Sequence, residues 1–478
     1  MKKRKIIYAF TIMIVCFLSL AFTSVKAVED TGLTLRIYNW YEYIEDGKDA
    51  DGNKITNSVM EDWVADYKAR TGKTVNVIYD MFETNEIMLN TLKTGKTTYD
   101  LVCPSDYIIQ KMIRENMLES FDINKIPNYV NYGSPYLKQL FEDNNWTNYA
   151  VGYMWGTMGF IYNPDKVSEE DISTWNILWN DAYKNRSTAK NSVRDTYVIG
   201  VFYVYQNELK DLYNRYQANT ITAKQYNKGI SEIMNRTDDE TIQKVEVALK
   251  EMKQNIYGLE VDSGKKDIVT GKIDINFAWS GDAVYAMDTA EEENNMKLNY
   301  IVPNEGSNVW FDGWVMPKGA NVEIACDFIN YLCQPEIAVK NMNKIGYTSS
   351  IAGDAIFDQI IDWYGDENGV EVDLTYFFNG TLSSDRLTDG KAIVKINERG
   401  RQFDAQYPDE EIINRCAIME DFGDRNEIVI DMWQRVKGNT VSIWLIVGII
   451  VVIAGGAVAY LYVNRSKIVR NKRLAKKK

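Results

Sequence analysis

The run LTLRIYNWYEY at residues 33–43 and the run IDINFAWSGDA at residues 273–283 are built in the same order. Each starts with a short stretch rich in aliphatic, β-branched and aromatic residues, which predicts a buried strand. A tryptophan follows directly, and a carboxylate comes within the next three residues. Because open α/β sheets bind ligands just beyond the carboxyl ends of their strands, both runs predict part of a ligand site.

Strands and helices alternate along the rest of the chain. Residues 58–70 place Trp63 and Tyr67 on one face of a predicted helix, and residues 238–257 form a second amphipathic helix. The other predicted strands are residues 75–79, 101–104, 159–162, 298–302 and 314–316. This alternation predicts an α/β fold with largely parallel sheets. Since 478 residues with 45% hydrophobic content exceed one core, we expect two α/β lobes.

The composition excludes several classes of function. The chain has no histidine, so Ser-His-Asp catalysis, Cys-His catalysis and His-ligated zinc lack their central residue. Its net charge is −13, and residues 1–27 and 465–478 are basic without any acid, so the body between them is more acidic still. Such a body repels nucleic acid and favours small cationic partners, although net charge also serves solubility alone.

Both ends of the chain carry membrane signals. Basic residues at positions 2–5 precede an apolar run, and small residues at 25 and 27 predict a signal peptide over residues 1–27 that is removed on export; an uncleaved anchor is the alternative. Residues 441–463 are uncharged, apolar and long enough to cross a bilayer. The basic tail at 464–478 then places the C-terminus in the cytoplasm. We therefore expect an exported body tethered to the cell membrane by one helix.

Cysteine usage indicates buried thiols. Cys103, Cys326, Cys333 and Cys416 remain in the exported body and allow three pairings. Cys326 and Cys333 lie about 10 Å apart along a predicted helix, which is too far for a bridge. No CxxC spacing supports zinc or redox chemistry, so we expect neither a metal nor a cofactor.

Aromatic residues beside carboxylates recur in two more places, Ser105-Asp106-Tyr107 and Trp310-Phe311-Asp312. One tryptophan belongs more often to a core than to a binding site, but four such clusters favour a site. An alkyl chain that carries ammonium groups fits this pattern, because ring faces cover methylenes and attract cations while carboxylates accept charge-assisted hydrogen bonds. Carbohydrates also stack on rings and bond to aspartate, so they remain the main alternative.

Six motifs together resemble the spermidine/putrescine-binding proteins of ABC importers. They are YNWYEYI at 38–44, YDLVCPSDY at 99–107, WGTMG at 155–159, FAWSGDA at 277–283, WFDGWVMP at 310–317 and IGY at 345–347. The resemblance implies a type II periplasmic-binding-protein fold, in which two lobes joined by strand crossovers close over a polyamine.

The resemblance also implies a division of the body. Residues 28–150 would form the first part of lobe 1, residues 151–305 lobe 2, and residues 306–440 the remainder, mainly lobe 1 with C-terminal helices. The polar, tyrosine-rich stretch at 209–237 looks inserted and predicts a helical pair on the surface.

Matching motif positions implies a set of ligand-binding residues. They are Trp40, Tyr43, Ser105, Tyr107, Asp195, Trp279, Trp310, Asp312 and Tyr347. Asp312 would anchor one ammonium group and Asp195 the other.

Four positions depart from the family pattern, and at one of them Asp195 replaces a usual Glu but keeps the carboxylate. Ser192 stands where a ligand-binding Asp is common, Tyr41 replaces a common Thr, and a usual Gln is absent around Met419. Because the carboxylate at Ser192 is missing, we expect putrescine to bind at least as tightly as spermidine.

The implied function is binding and delivery, without catalysis. The closed protein would dock on ABC permease subunits driven by a cytoplasmic ATPase. The alternatives are a carbohydrate-binding protein of an ABC importer, a glycoside hydrolase that uses paired carboxylates, and a sensor that signals through its membrane helix.

Overall fold

The computed structural model describes residues 32–438, apart from positions 50, 96, 385 and 387–389. Its strands are β1 Thr34–Trp40, β2 Asn76–Phe82, β3 Leu101–Val102, β4 Leu118–Glu119, β5 Ala150–Tyr162, β6 Ser187–Lys190, β7 Gly258–Glu260, β8 Ile275–Trp279, β9 Asn299–Ile301, β10 Ser307–Pro317, β11 Thr348–Ser349, β12 Gly365–Asp373, β13 Lys391–Val394 and β14 Cys416–Ala417.

The α-helices alternate with these strands. They are α1 Val59–Thr71, α2 Asn85–Thr94, α3 Asp106–Arg114, α4 Pro127–Tyr132, α5 Pro135–Asp143, α6 Glu169–Ile172, α7 Val193–Val204, α8 Gln206–Gln217, α9 Ala223–Met234, α10 Asp239–Asn255, α11 Ser263–Val269, α12 Ser280–Asn294, α13 Val322–Leu332, α14 Pro335–Ile345, α15 Asp354–Tyr364, α16 Thr375–Phe378, α17 Gln402–Gln406, α18 Glu410–Asn414 and α19 Asn426–Lys437. Helix α1 begins with a capping box between Ser58 and Glu61 and ends at left-handed Gly72, close to its predicted limits.

The main sheet has two parallel wings and an antiparallel centre. Its central order is β2-β1-β3-β10-β5-β8-β6-β7. Strands β1, β2 and β3 run parallel, as do β6, β7 and β8, whereas β10 and β5 are antiparallel to each other and to their outer neighbours β3 and β8. The expectation of largely parallel sheets is therefore correct for the wings and wrong for the centre.

The two central strands are much longer than predicted. Strand β5 has 13 residues and β10 has 11, and every residue in both is buried. Residues 159–162 and 314–316, the predicted strands, are only the ends of these elements. A strand buried on both faces shows no alternation of polar and apolar residues, and the glycines of β5 weaken its β-propensity, so the pattern was not visible in the sequence.

The central strands join two hydrophobic cores. The first half of β5, including Met154 and Trp155, packs in the core around β1, β3 and α13, whereas Met158 and Phe160 pack in the core around β8, α7 and α10. We call the regions around these cores the first and the second lobe. Helix α19 also packs on the second core, against α7 and α10. The chain thus passes between the lobes within continuous strands.

Helices α8 and α9 form the predicted helical pair. The pair is not confined to the surface, because Leu209, Tyr226 and Ile230 are fully buried in the second core. The Asn227 amide donates to the Cys416 carbonyl, and Asn235 donates to Ile418 O at 3.0 Å. The pair therefore holds the segment around β14 in place.

The four cysteines of the body are free and buried, as expected. Within the described part of the chain, none of the helices combines the length and the apolar character that crossing a bilayer requires. The predicted signal peptide (1–27), membrane helix (441–463) and basic tail (464–478) lie outside the described residues.

Candidate functional site

Asp312 lies in the middle of β10, at a bulge where the register to β5 shifts between Asp312 and Gly313. Its two carboxylate oxygens accept separate hydrogen bonds. Tyr43 Oη donates to Oδ2 at 2.7 Å, and Ser105 Oγ donates to Oδ1 at 2.7 Å. Ser105 is the N-cap residue of α3, yet its side chain does not cap the helix: the hydroxyl oxygen accepts a bond from the Asn85 amide instead of a helix N–H, and the hydroxyl proton is donated to Asp312.

The Asp312 carboxylate is buried without a basic partner. Asp312 is only 7% exposed, and among the described residues no lysine or arginine forms an ion pair with it. Burial raises the pKa of Asp312 to about 6, against the hydrogen bonds from Ser105 and Tyr43, and the negative charge of Asp195 adds to the rise. The site therefore holds a carboxylate that a bound cation would stabilise in its ionised form.

Asn85, a residue that sequence reasoning missed, connects two predicted site residues. Its amide nitrogen Nδ2 lies 3.0 Å from Ser105 Oγ and 3.0 Å from Tyr107 Oη, and it donates to both. Its Oδ1 accepts from the Ser105 backbone N–H at 3.2 Å. Asn85 is the first residue of α2 and belongs to none of the recognised motifs, so it is identified only by its hydrogen bonds to Ser105 and Tyr107 in the folded chain.

Three aromatic rings lie next to Asp312. Tyr347 packs edge-to-face on Trp310, with centroids 5.5 Å apart, and on Tyr43, with centroids 5.7 Å apart. This arrangement needs Gly281, because a Cβ there would overlap the Tyr347 ring. Gly156 is needed for the same reason, since a Cβ would overlap Ser280 and lie 2.8 Å from the Trp310 ring. Both glycines come from the recognised motifs.

Asp195 and Trp279 approach from the second lobe. Asp195 is buried in the first turn of α7, and the side chain of Ser192 accepts a bond from the Asp195 backbone N–H at 3.5 Å. Burial raises the pKa of Asp195, while hydrogen bonds from the side chains of Ser192 and Trp279 oppose the rise. Trp279 is the last residue of β8. Its ring forms one aromatic wall beside Asp195.

A buried ion-pair network, also missed from the sequence, lies behind Trp279. Lys190 is 0% exposed, and its Nζ lies 3.1 Å from Asp282 Oδ2, 3.2 Å from Glu260 Oε1 and 4.5 Å from the centroid of the Trp279 ring. Lys265 Nζ adds a contact of 3.3 Å to Asp282 Oδ1. Burial alone would raise the pKa of Asp282, but Lys190 and Lys265 hold it below its usual range.

The network reaches the aromatic cluster through one hydrogen bond. Tyr347 Oη donates to Asp282 Oδ1 at 3.0 Å. Asp282 belongs to the recognised FAWSGDA motif, so the sequence offered a reason to consider it as a site residue. Lys190 belongs to no recognised motif, and only the fold identifies it.

Arg194 forms a second buried cation at the lobe boundary. Its guanidinium lies 4.6 Å from the centroid of the Tyr107 ring and stacks on Phe422 at 3.5 Å. It also donates to the Asn426 side chain at 3.3 Å and to the Glu420 carbonyl. Arg194 thus connects α7 of the second lobe to α3 of the first.

Trp40 is the predicted site residue with the least direct connection. It packs on Phe82 with ring centroids 4.5 Å apart, at the common end of β1 and β2. Its buried indole N–H has no hydrogen-bond partner among the described residues.

The other predicted residues are linked by contacts into a group of six and a separate pair. These contacts join Tyr43, Ser105, Trp310, Asp312 and Tyr347 directly, Tyr107 through Asn85, and Trp279 to Asp195.

The family model for bacterial extracellular solute-binding proteins matches residues 62–355. The spermidine/putrescine-binding periplasmic protein of Salmonella typhimurium is 27% identical over 407 residues, which are 84% of this chain and 91% of the relative. The protein of the same name from Escherichia coli K12 is 29% identical over 331 residues, covering 69% of this chain and 81% of the relative.

A solved structure agrees with these matches. The spermidine/putrescine ABC transporter substrate-binding protein PotD from Streptococcus pneumoniae aligns with a TM-score of 0.54 and 25% identity, over 85% of this chain and all of that chain. This match confirms the predicted two-lobed periplasmic-binding-protein fold. These relatives are binding proteins of transport systems and not enzymes, in agreement with the sequence-based expectation. The family match covers more than half of the chain, which therefore belongs to the bacterial extracellular solute-binding proteins.

Proposed function

We propose that this protein is the substrate-binding component of a polyamine ABC importer and that it captures putrescine or spermidine between its lobes. The observation that carries the proposal is Asp312, a buried carboxylate with two neutral hydrogen-bond donors and no basic partner among the described residues. Its relatives, named as spermidine/putrescine-binding proteins, support the same ligand class.

The chemistry of the site favours an organic dication over a neutral sugar. Asp312 and Asp195 lie close enough for the charge of one to raise the pKa of the other, so the two buried carboxylates repel each other. An ammonium group beside each carboxylate replaces this repulsion with two charge-assisted pairs. Trp279, Trp310 and Tyr347 would cover the methylenes between them. A sugar could satisfy the hydrogen bonds but not the charge.

Ligand binding would stabilise the closed arrangement of the lobes. Asp195 and Trp279 belong to the second lobe, whereas Tyr43 and Ser105 belong to the first, so one ligand that contacts both groups binds the closed form more tightly than an open one. The closed protein would then deliver the polyamine to permease subunits powered by a cytoplasmic ATPase.

Calorimetric titration of the full-length chain in detergent tests the proposed ligand class. We expect putrescine and spermidine to bind with dissociation constants in the micromolar range or below, and a disaccharide panel to give no heat. Binding of a disaccharide without any polyamine binding would overturn the proposal in favour of a carbohydrate importer.

We also propose that residues 441–463 anchor the protein in the cell membrane, with the binding lobes outside. The support is the uncharged apolar run and the basic residues at 464–478 that follow it. Protease added to intact cells should degrade the lobes and leave a small membrane fragment that contains residues 464–478. A C-terminus that the protease removes, or a fully secreted protein, would contradict the anchor.

A further inference from the structure

We propose that Lys190 is a specificity-determining residue that makes this site selective for a diamine, because its ammonium group pairs with Asp282, a carboxylate bonded to the site residue Tyr347, and so keeps that carboxylate from a third ligand ammonium. This inference rests on the proposed polyamine function and goes beyond it by assigning the ligand length to a residue outside the predicted site.

The position of Lys190 carries the inference. Its Nζ is fixed by three acceptors, at 3.1 Å from Asp282, 3.2 Å from Glu260 and 3.1 Å from the Val261 carbonyl. It also lies 4.5 Å from the centroid of the Trp279 ring. One face of this ring is thus already covered by the cation of the protein itself.

The charges around the site separate into paired and unpaired groups. Glu260 and Asp282 are neutralised by Lys190 and Lys265. Asp312 has neutral donors only. Asp195 is bonded by the neutral side chains of Ser192 and Trp279, and the positive charges of Lys190 and Arg194 act on it without a direct ion pair. Two carboxylates without a direct ionic partner match the two ammonium groups of a diamine.

Asp106 does not provide a third negative charge. It is buried at the start of α3, accepts a bond from the Tyr107 backbone N–H at 2.6 Å, and its other oxygen is without a hydrogen-bond partner in the described residues. Burial raises the pKa of Asp106 well above its usual value, which favours the neutral acid.

A triamine therefore meets two obstacles in this cleft. Its third ammonium group finds Asp282 already paired, and it is repelled by Lys190, which is buried and fixed beside Trp279. A buried charge without a partner weakens binding strongly, whereas the diamine avoids both costs.

The test compares the spermidine and putrescine dissociation constants of full-length wild type and Lys190→Met by calorimetry. Methionine keeps the buried aliphatic volume and removes the charge. We expect the ratio of the two affinities to shift at least about tenfold toward spermidine. The double variant Lys190→Met/Asp282→Asn should show a smaller shift than Lys190→Met, because the carboxylate that Lys190 releases is gone while the repulsion by Lys190 is still removed. Lys250→Met, which removes an exposed partner of Glu246 in the same lobe, is the control and should leave the ratio unchanged.

If Lys190→Met does not fold, Lys190→Met/Glu260→Gln replaces it, since the loss of the cation is matched by the loss of one acid. A smaller shift in the same direction is then expected, because the repulsion by Lys190 is gone while Lys265 still pairs with Asp282. An unchanged ratio in a folded variant that still binds putrescine would overturn the role of Lys190 alone. Wild-type protein that binds no polyamine would instead remove the proposed function, and this inference with it.

Discussion

Two buried aspartates near Tyr347 have opposite surroundings. Asp312 accepts bonds from the neutral hydroxyls of Tyr43 and Ser105, and its pKa is raised to about 6. Asp282 contacts Lys190 and Lys265, and its pKa is lowered. Both are almost fully buried, so burial alone does not distinguish them.

This difference indicates that the Asp282 carboxylate contributes to folding and the Asp312 carboxylate to ligand binding. A buried acid with its own cations stabilises the fold only as part of an intact pair, and removing one member leaves an uncompensated charge. A buried acid with neutral donors gains its cation only when ligand binds. We therefore expect substitution of Asp282 to change the free energy of unfolding and substitution of Asp312 to change the ligand affinity.

The largest effect is expected from Asp282→Asn on stability. The free energy of unfolding of the ligand-free protein should fall by about 3–5 kcal/mol, because Lys190 loses one of its two acids while it stays buried. Urea unfolding measures this change. The matched control is Glu293→Gln on the same helix, which removes an exposed carboxylate and where a change within about 0.5 kcal/mol is expected. A stability loss no larger than in the control would contradict the distinction.

The next effect is that of Asp312→Asn on binding. The amide keeps the shape but removes the charge, so polyamine affinity should weaken by about 2–4 kcal/mol. Unfolding of the ligand-free protein should be unchanged or slightly more difficult, since an unfavourable buried charge is gone. Calorimetry and urea unfolding on the same preparation separate the two quantities. An unchanged dissociation constant would mean that Asp312 only supports the bulge in β10.

The third expectation concerns pH. The folded-state pKa of Asp312, about 6, lies above its ordinary value of 3.8, so the folded chain binds this proton more readily than the unfolded chain. The contribution of this group to ligand-free stability is thus greatest below pH 3.8 and declines as pH rises through 6. Polyamine affinity runs the other way and should fall about tenfold from pH 7 to pH 5, as the carboxylate protonates.

Titrations at several pH values in wild type and Asp312→Asn check this assignment. The variant should bind weakly at every pH, without the step near pH 6. The same step in the variant would assign the titration to another group, of which Asp195 is the nearest candidate because its pKa is also raised.

The smallest effect is expected from Tyr43→Phe. The loss of one hydroxyl bond to Asp312 should weaken polyamine binding by about 1 kcal/mol and move the pH step upward, because this bond lowers the pKa of Asp312. The control is Tyr153→Phe, since the Tyr153 hydroxyl is buried nearby but donates to the Tyr43 carbonyl at 2.8 Å. A step at the same pH in wild type and Tyr43→Phe would show that this bond does not set the acidity of Asp312.

The sequence by itself determined the class of fold and the residue types of the site. Short strands that end in tryptophan, tyrosine and aspartate could be predicted because these patterns are local, and the strands in the wings of the sheet agree with them. Helices α1 and α10 could be predicted from the spacing of their apolar residues, which is also a local pattern. Gly156 and Gly281 could be read from the motifs, but only the structure explains why glycine is needed there: the rings of Trp310 and Tyr347 approach these positions too closely for a Cβ.

Tertiary structure alone decided the centre of the sheet and the charge state of the site. Strands β5 and β10 are buried along their whole length, so their limits depend on neighbours from distant parts of the chain. The pairing of Lys190 with Asp282 spans 92 positions, and that of Ser105 with Asp312 spans 207. A sequence contains the acid and the base, but whether a buried aspartate meets a cation or a hydroxyl is fixed by packing, and this choice sets its pKa and its function.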